Sequence, residues 1–543
     1  MKDSVRALPK PNVIDRLVGF VSPKTALDRI RFRAALSFYD ATTGYTVGGT
    51  SGRRSMRGWY PKGKSADDDT LPLLDKARAS SRDLYMNTPI AAAALRRINT
   101  NVIGSGLTLQ SRIDREFLGL SEDQADEWER QTEREWGMWA GGKDCDITRS
   151  QTFAELQVLA FLSTMLNGDC FVLLPYIEVE KPTTPYRLKV QLVEADYISN
   201  PNNQMDNDKM KSGIELDEYG APVFYYIRTK PYKMFATVDD WVKIPAFGEQ
   251  SGRRNVLHLM ERERVGQRRG MPTLSPVIEA CKQLTRLTEA ELMGAVIAAM
   301  FTVFVKSVST PGGLGPAFTE SESLLEEPDG SSGRGASSPD DNLYEVGSGN
   351  IVELAEDQEI QTASPNRPNE GFDPFFQSIA RQIGAAIEVP YEQLLLAFTA
   401  SYSASRAALL EAWKFYKKRR AWSAGNFNQP VYEEWLTEAV TRNRIKAPGY
   451  FRDPLIRRAW SGAFWGGPGQ GQIDPVKETK GAQTRIAAGL GNFEDEYIAI
   501  HGGDWEANIQ RRSRQDRILK REGVTPDLGT KQGADQGANT TQG

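Results

Sequence analysis

Apolar positions recur with helical spacing at both ends of this chain, and between them lies a block where they alternate or cluster as strands do. From residue 71 to 104 the period is helical, with Ala91, Ala94 and Ile98 on one face. Gly104-Ser-Gly106 ends it, and Leu107-Thr-Leu109-Gln opens an extended piece. A second helix is predicted over residues 121–139, mostly charged around Trp128, Trp136 and Trp139. A third, more apolar one runs over residues 153–166 and stops at Asn167-Gly168. Strand signals follow at Cys170-Phe-Val-Leu-Leu, Leu188-Lys-Val-Gln-Leu-Val, Val223-Phe-Tyr-Tyr-Ile and Asn255-Val-Leu-His-Leu-Met, each flanked by turn residues. Asp217-Glu-Tyr-Gly220 reads as the turn of a hairpin. The block is an α+β unit of mainly antiparallel sheet.

Beyond it the period returns to helical. One long helix is predicted over residues 273–304, with Ser275-Pro276 in its first turn and Ile278, Cys281, Leu284 and Leu287 along one side. A Gly/Ser/Pro-rich stretch follows around residues 311–339, and short strand candidates lie in 344–360. A further helix covers residues 373–387 and ends before Pro390. The run from Ala400 to Trp422 is the most informative in the chain. A small, hydroxyl-rich loop opens into a helix in which Trp413, Tyr416 and Trp422 recur at roughly helical spacing, while Lys417, Lys418, Arg419 and Arg420 cluster near its end. Helices at 429–442, 475–489, 492–500 and 504–521 complete the pattern. Residues 1–70 and 525–543 are polar and low in core-forming residues, so they read as an arm and a disordered tail.

Composition narrows the picture. A chain of 543 residues supports several packed units. The net charge is −4 and the mean hydropathy −0.48. Tight DNA binding rests on phosphate neutralisation and a positive excess, which this chain lacks. Three scattered cysteines, Cys145, Cys170 and Cys281, form neither a disulfide framework nor a zinc site and fit a reducing cytoplasm. The most apolar run, 292–305, is about 14 residues, short for a bilayer span. It reads as a buried helix, and a non-membrane protein is expected.

The sequence offers little catalytic chemistry. Gly58-Trp-Tyr-Pro-Lys-Gly63-Lys64-Ser65 satisfies the phosphate-loop pattern literally. That loop works between a buried strand and a helix; here no strand precedes it, and Asp67, Asp68 and Asp69 follow where a triphosphate would be repelled. The two histidines, His258 and His501, lie in different units and read as structural. Gly104-x-Gly106 is a turn, and Gly466-Gly-Pro-Gly-Gln-Gly471 a linker. No catalytic residue, metal site or cofactor is expected. The acidic pairs Glu326-Glu327 and Asp340-Asp341 flank the flexible loop, as solvated surface or as a protein-docking face.

The hydroxyl-rich loop with its following helix resembles the channel-lining segment of lambda-type portal proteins of tailed phages. The likeness extends, in the family's order, over about residues 55–510. It includes Arg57-Gly-Trp59, Asn87-Thr-Pro89, Val102-Ile-Gly-Ser-Gly-Leu107 and Arg264-Val-Gly-Gln-Arg-Arg-Gly270. It continues with Pro272-Thr-Leu-Ser-Pro276, Gln429-Pro-Val-Tyr-Glu-Glu-Trp435, Trp465-Gly-Gly-Pro-Gly469 and Gly502-Gly-Asp-Trp505. Residues 313–342 depart from the family.

The resemblance implies a mainly helical α+β portal fold, assembled as a head-to-tail ring of about twelve subunits around a central channel. Its parts fall at 71–272 (wing), 273–304 and 367–388 (stem helices), 305–366 (clip), 389–404 (tunnel loop), 405–470 (channel helix and wing return) and 471–524 (crown). It implies a non-enzymatic virion protein at the portal vertex, present in host cytoplasm during assembly. Double-stranded DNA would pass through it. Its partners would be the terminase large subunit, the major capsid protein and scaffold, and the head-completion or neck proteins. Thr399, Ser401, Tyr402, Ser403, Ser405, Arg406 and Lys414 would line the channel. Lys417, Lys418, Arg419 and Arg420 would contact DNA or a neighbouring subunit, and Glu326, Glu327, Asp340 and Asp341 would lie in the clip where motor or connector docks. Another head-tail connector, or a structural capsid protein without a DNA channel, is the alternative; an enzyme is the third class.

Overall fold

The computed structural model describes residues 62–178, 182–229, 240–299, 303–307, 358–362, 371–398, 401–471, 474–503 and 505–524. The chain divides into two compact units, residues 1–65 and 66–543, and the elements named here belong to the second. The four acidic residues at 326, 327, 340 and 341, Thr399, most of the arm, the loop at 311–339 and the tail lie outside the described residues.

Helix α1 (Ala66–Asn87) begins at Ala66 rather than at Leu71. Its first turn carries Asp67, Asp68 and Asp69, which suit the positive end of a helix. Two of them are also anchored from afar: Asp67 accepts the Arg268 backbone N–H at 2.8 Å, and Asp69 pairs with Arg264 at 2.6 Å. Helix α2 (Pro89–Val102) follows after a break at Thr88, with proline in its first turn. Strand β1 (Thr108–Ser111) comes next. Helices α3 (Glu122–Ala140) and α4 (Phe153–Asn167) each open on a reciprocal capping box, Ser121 with Gln124 and Thr152 with Glu155.

The four strands expected of this block are present, with three more. Strands β2 (Asp169–Leu173), β3 (Gln191–Glu194), β4 (Met210–Lys211), β5 (Ile214–Leu216), β6 (Pro222–Arg228), β7 (Trp241–Pro245) and β8 (Val256–Met260) form two antiparallel sheets. Their orders are β3-β2-β8 and β4-β5-β6-β7. Strands β4, β5 and β7 are the three that the sequence signals do not give. The β5–β6 hairpin turns at Asp217–Gly220, where the Gly220 N–H donates to the Asp217 carbonyl at 3.1 Å.

Helix α5 (Ile278–Ala299) buries Cys281 and Leu284, as its period requires. It does not extend to 304. The strand-favouring run Val303-Phe-Val, two β-branched residues and an aromatic, instead forms strand β9 (Val303–Ser307), paired antiparallel with β10 (Gln358–Thr362). Nor is the apolar end of α5 buried within the chain: Leu292 is 65% and Met293 58% exposed.

The remaining elements are α6 (Phe372–Ala386), α7 (Tyr391–Leu395), α8 (Tyr402–Ser423), α9 (Gln429–Thr441), α10 (Pro454–Trp460), β11 (Ala463–Gly466), α11 (Pro475–Ala487), α12 (Phe493–His501) and α13 (Trp505–Arg521). A π-helical turn, Ala424–Asn428, joins α8 to α9. Strand β11 returns to pair with β1, Thr108 opposite Gly466. Among the described residues no helix is long and apolar enough to cross a membrane.

The main core forms where α3, α4, α9 and β11 meet. Trp136 lies at its centre, with ring centroids 4.9 Å from Trp139, 5.2 Å from Phe153, 5.2 Å from Trp435 and 5.9 Å from Trp465. Edge-to-face packing of this kind adds to the apolar area these rings remove from water.

A buried polar network fastens α1 to the three-stranded sheet. Asp169 is fully buried and pairs with Arg78 at 2.7 Å and with Arg269 at 2.6 Å. Arg269 is equally buried and also donates to the carbonyls of Ala195, Ile198 and Ser212. His258 reaches Asp169 with Nε2 at 3.3 Å and stacks on Phe171 at 4.2 Å, so it is structural. Burial foremost, opposed by Asp169 and reinforced by the charges of Arg269 and Arg262, lowers its pKa and favours the neutral ring. Gly168 and Gly270 touch back to back here: a Cβ on Gly270 would collide with the Gly168 carbonyl.

Candidate nucleic-acid interface

Helices α6 and α8 are joined by a segment with two left-handed residues that are not glycine, Glu388 (φ 60°) and Leu396 (φ 55°). Such residues carry backbone strain and persist only where surrounding contacts hold them. Here α7 lies between them, its Leu394 buried, and the Tyr416 hydroxyl donates to Gln393 Oε1. Beyond the segment Ser401 caps α8: its Oγ accepts the Ala404 N–H at 3.4 Å. Ser401 is thus fixed by helix chemistry, since serine is favoured where the first N–H groups lack partners.

The sequence-derived residues separate onto different faces of α8. Ala412, Trp413 and Tyr416 are buried, and Ser405 with them, at 8% exposure. The Ser405 hydroxyl therefore does not join the exposed surface expected of it. Ser403, Lys414, Lys417 and Lys418 are exposed, and Lys414 pairs with Glu411 at 2.7 Å. Arg406 pairs at 3.3 Å with Glu478 on α11 of the same chain. Tyr402 occupies the first position of the helix.

The basic cluster also divides. Arg419 pairs with Glu261 at 3.0 Å and lies over the Phe415 ring. Arg420 turns inward and donates to the carbonyls of Val102 at 3.0 Å and Asn101 at 2.9 Å. These are orphan acceptors at the C-terminus of α2, so Arg420 caps a distant helix. Burial lowers its pKa to about 10, which leaves it charged at neutral pH. Only Lys417 and Lys418 of the four project freely, giving α8 a neutral first turn and a cationic later face.

Arg420→Ala is therefore expected to lower stability by about 1–3 kcal/mol, because buried carbonyls lose a charged donor. Lys417→Ala with Lys418→Ala should leave it within about 0.5 kcal/mol. Chemical denaturation of the three proteins separates the outcomes; equal effects would place Arg420 among the surface cations.

A family model described as phage portal protein, lambda family, matches residues 52–420, from ahead of α1 through α8 to Arg420. The chain belongs to that family. The portal protein of Escherichia phage N15 is similar, 28% identical over 493 residues that cover 89% of this chain and 92% of the relative. Portal protein B of Escherichia phage lambda is likewise 28% identical, over 490 residues covering 89% and 91%. Among solved structures, a chain from the virion of a native gene transfer agent particle aligns with a TM-score of 0.40 and 12% identity, over 71% of this chain and 93% of that one. This is a portal protein of a tailed phage, and its family is structural rather than enzymatic.

Sequence reasoning missed the Asp169–Arg78–Arg269 network. Its parts lie on three separated segments, and the one visible hint was the dense run Arg262-Glu-Arg-Val-Gly-Gln-Arg-Arg269.

Proposed function

We propose that about twelve copies close into a ring whose channel passes double-stranded DNA inward during packaging and outward at ejection. In this reading the exposed first turn of α8, with Ser401 and Ser403, faces the DNA, together with Thr399 and Tyr402 and with Lys414 behind them. The segment 305–366 is the clip that receives the terminase large subunit and later the neck proteins. Residues 71–272 with 424–470 form the wing, α5 and α6 the stem, and 471–524 the crown. The major capsid protein and scaffold surround the ring during assembly in host cytoplasm.

One observation carries the ring. Leu292, Met293 and Val296 on α5 are exposed in the single chain, as is Phe375 on α6 at 56%. An apolar surface of this kind calls for a partner, and a neighbouring copy supplies it without any further protein. Electron microscopy of the purified chain tests the reading. Rings with an axial pore are expected, and Leu292→Asp with Met293→Lys should leave single chains; rings without a pore, or rings unaffected by the double variant, would contradict it.

The protein is expected to hydrolyse no nucleotide. Asp67 and Asp69 after Lys64 are fixed at the start of α1, by the Arg268 N–H and by Arg264, and their negative charge there disfavours a triphosphate. An ATPase activity of the motor-free protein that disappears in Lys64→Ala would oppose this.

A further inference from the structure

A cavity of about 480 Å³ lies between the four-stranded sheet and the C-terminal end of α8, and its charged lining is of one sign. Arg254, Arg262 and Arg268 all face it, with His258 deeper in and Trp422 across from the sheet. Neither aspartate nor glutamate lines it. Among the described residues no carboxylate forms an ion pair with any of the three arginines. The neighbouring Arg253, Arg264, Arg269 and Arg419 are all paired. The contrast is local and specific to this cavity.

The guanidiniums are also held in place by uncharged neighbours. A Cβ on Gly220 would overlap the Arg268 guanidinium, so that group rests against the hairpin turn between β5 and β6. Arg254 lies over the Phe247 ring, 5.4 Å from its centroid. Three cations gathered without counter-charge repel one another, and they gain most from a multiply charged acceptor.

We propose that this cavity binds a phosphate oxyanion, through forked hydrogen bonds from Arg254, Arg262 and Arg268. A carboxylate brings one charge in one plane and would leave most of the cationic lining uncompensated. A phosphoryl group brings up to two charges on tetrahedrally disposed oxygens, which guanidinium forks from several directions can share. Because the lining spans β5, β6, β8 and Trp422 of α8, a bound phosphoryl group ties the outer sheet to the base of the channel helix. The proposal concerns a site away from the DNA-facing turn and stands independently of the ring.

Isothermal titration calorimetry on the purified full-length protein, at constant low ionic strength, tests it. Inorganic phosphate, tripolyphosphate, dATP and a short DNA duplex serve as separate titrants, with a glutamate-rich peptide as the fifth. At least one phosphoryl titrant is expected to bind, and the tightest of them identifies the source: free phosphate, polyphosphate, nucleotide or DNA backbone. Arg262→Gln should weaken that binding about tenfold or more, the effect of losing a charge-assisted pair. Arg254→Gln should repeat the loss; both side chains are solvent-exposed, so folding does not depend on them. Arg458→Gln, on α10 outside the cavity, should leave the affinity unchanged. No phosphoryl binding to the wild type, binding that Arg262→Gln and Arg254→Gln leave intact, equal weakening by Arg458→Gln, or binding of the peptide alone would each overturn the proposal.

Discussion

Asp169→Ala is expected to abolish recovery of folded protein. Removing that carboxylate strands two guanidiniums, Arg78 and Arg269, at 2% and 0% exposure. Breaking a buried pair from one side costs about 3–5 kcal/mol, a large fraction of the roughly 5–15 kcal/mol that keeps a domain folded. Asp169→Asn keeps the shape and some hydrogen bonds but not the charge, and should fall between wild type and alanine. Denaturant melts of whatever soluble protein each variant yields would measure the series. An alanine variant as stable as wild type would show that the network is not what fastens α1 to the sheet.

The same group contributes to acid sensitivity. Burial alone would raise the Asp169 pKa, but the charges of Arg269 and Arg78 override it and hold the carboxyl well below the ordinary carboxylate range. A group depressed on folding contributes stability that is complete above its unfolded pKa, about 3.9. That contribution is lost as pH falls from there toward the folded value. His258, also depressed, adds a term present above about 6.5 and lost on acidification.

The second large effect is on DNA movement. Ser401→Lys with Ser403→Lys, repeated around a ring, places a dense collar of cations at the first turn of α8. Each neutralised phosphate adds to affinity and releases counterions, so a sliding duplex would be gripped. Packaging is expected to slow by about tenfold or more in low salt and to recover partly as salt rises. Because Ser401 caps α8, its replacement also costs about 1 kcal/mol of helix stability. Ser403→Lys with Ala404→Lys changes two exposed positions and spares the cap. Genome packaging at the normal rate in low salt by this second variant would remove the turn from the DNA path.

Most helices were legible because their signals are local. The expected starts near 121 and 153 match α3 and α4, Asn167-Gly168 marks the stop of α4, and Pro390 the end of α6 within a few residues. What failed to show was non-local. The start of α1 at Ala66 depends on Arg264 and Arg268, about two hundred residues away in sequence. Strand β1 finds its partner at 463–466, and Val303-Phe-Val changes from helix to strand because a second strand at 358–362 meets it. For the candidate interface, the sequence put Trp413, Tyr416 and Trp422 at roughly helical spacing but gave them no direction; Trp413 and Tyr416 face inward. That spacing could not separate Arg420 from Lys417 and Lys418, because the acceptors that draw Arg420 inward belong to α2. Ser405 was grouped with its neighbours by composition, although one further step around the helix turns it into the interior.

Helices α8 and α9 with the π-helical turn between them give uninterrupted helical chain from Tyr402 to Thr441, up to about 60 Å of it at the rise of an α-helix. One end is the exposed cap at Ser401; the other carries Tyr432 and Trp435, fully buried in the aromatic core. Between these ends the shaft is fixed by buried Trp413 and Tyr416 and by Arg420 on the end of α2. A displacement of the tip would pass along this anchored chain, through the π-helical turn whose Phe427 is 1% exposed and stacks on Phe153 at 5.4 Å, into the aromatic core.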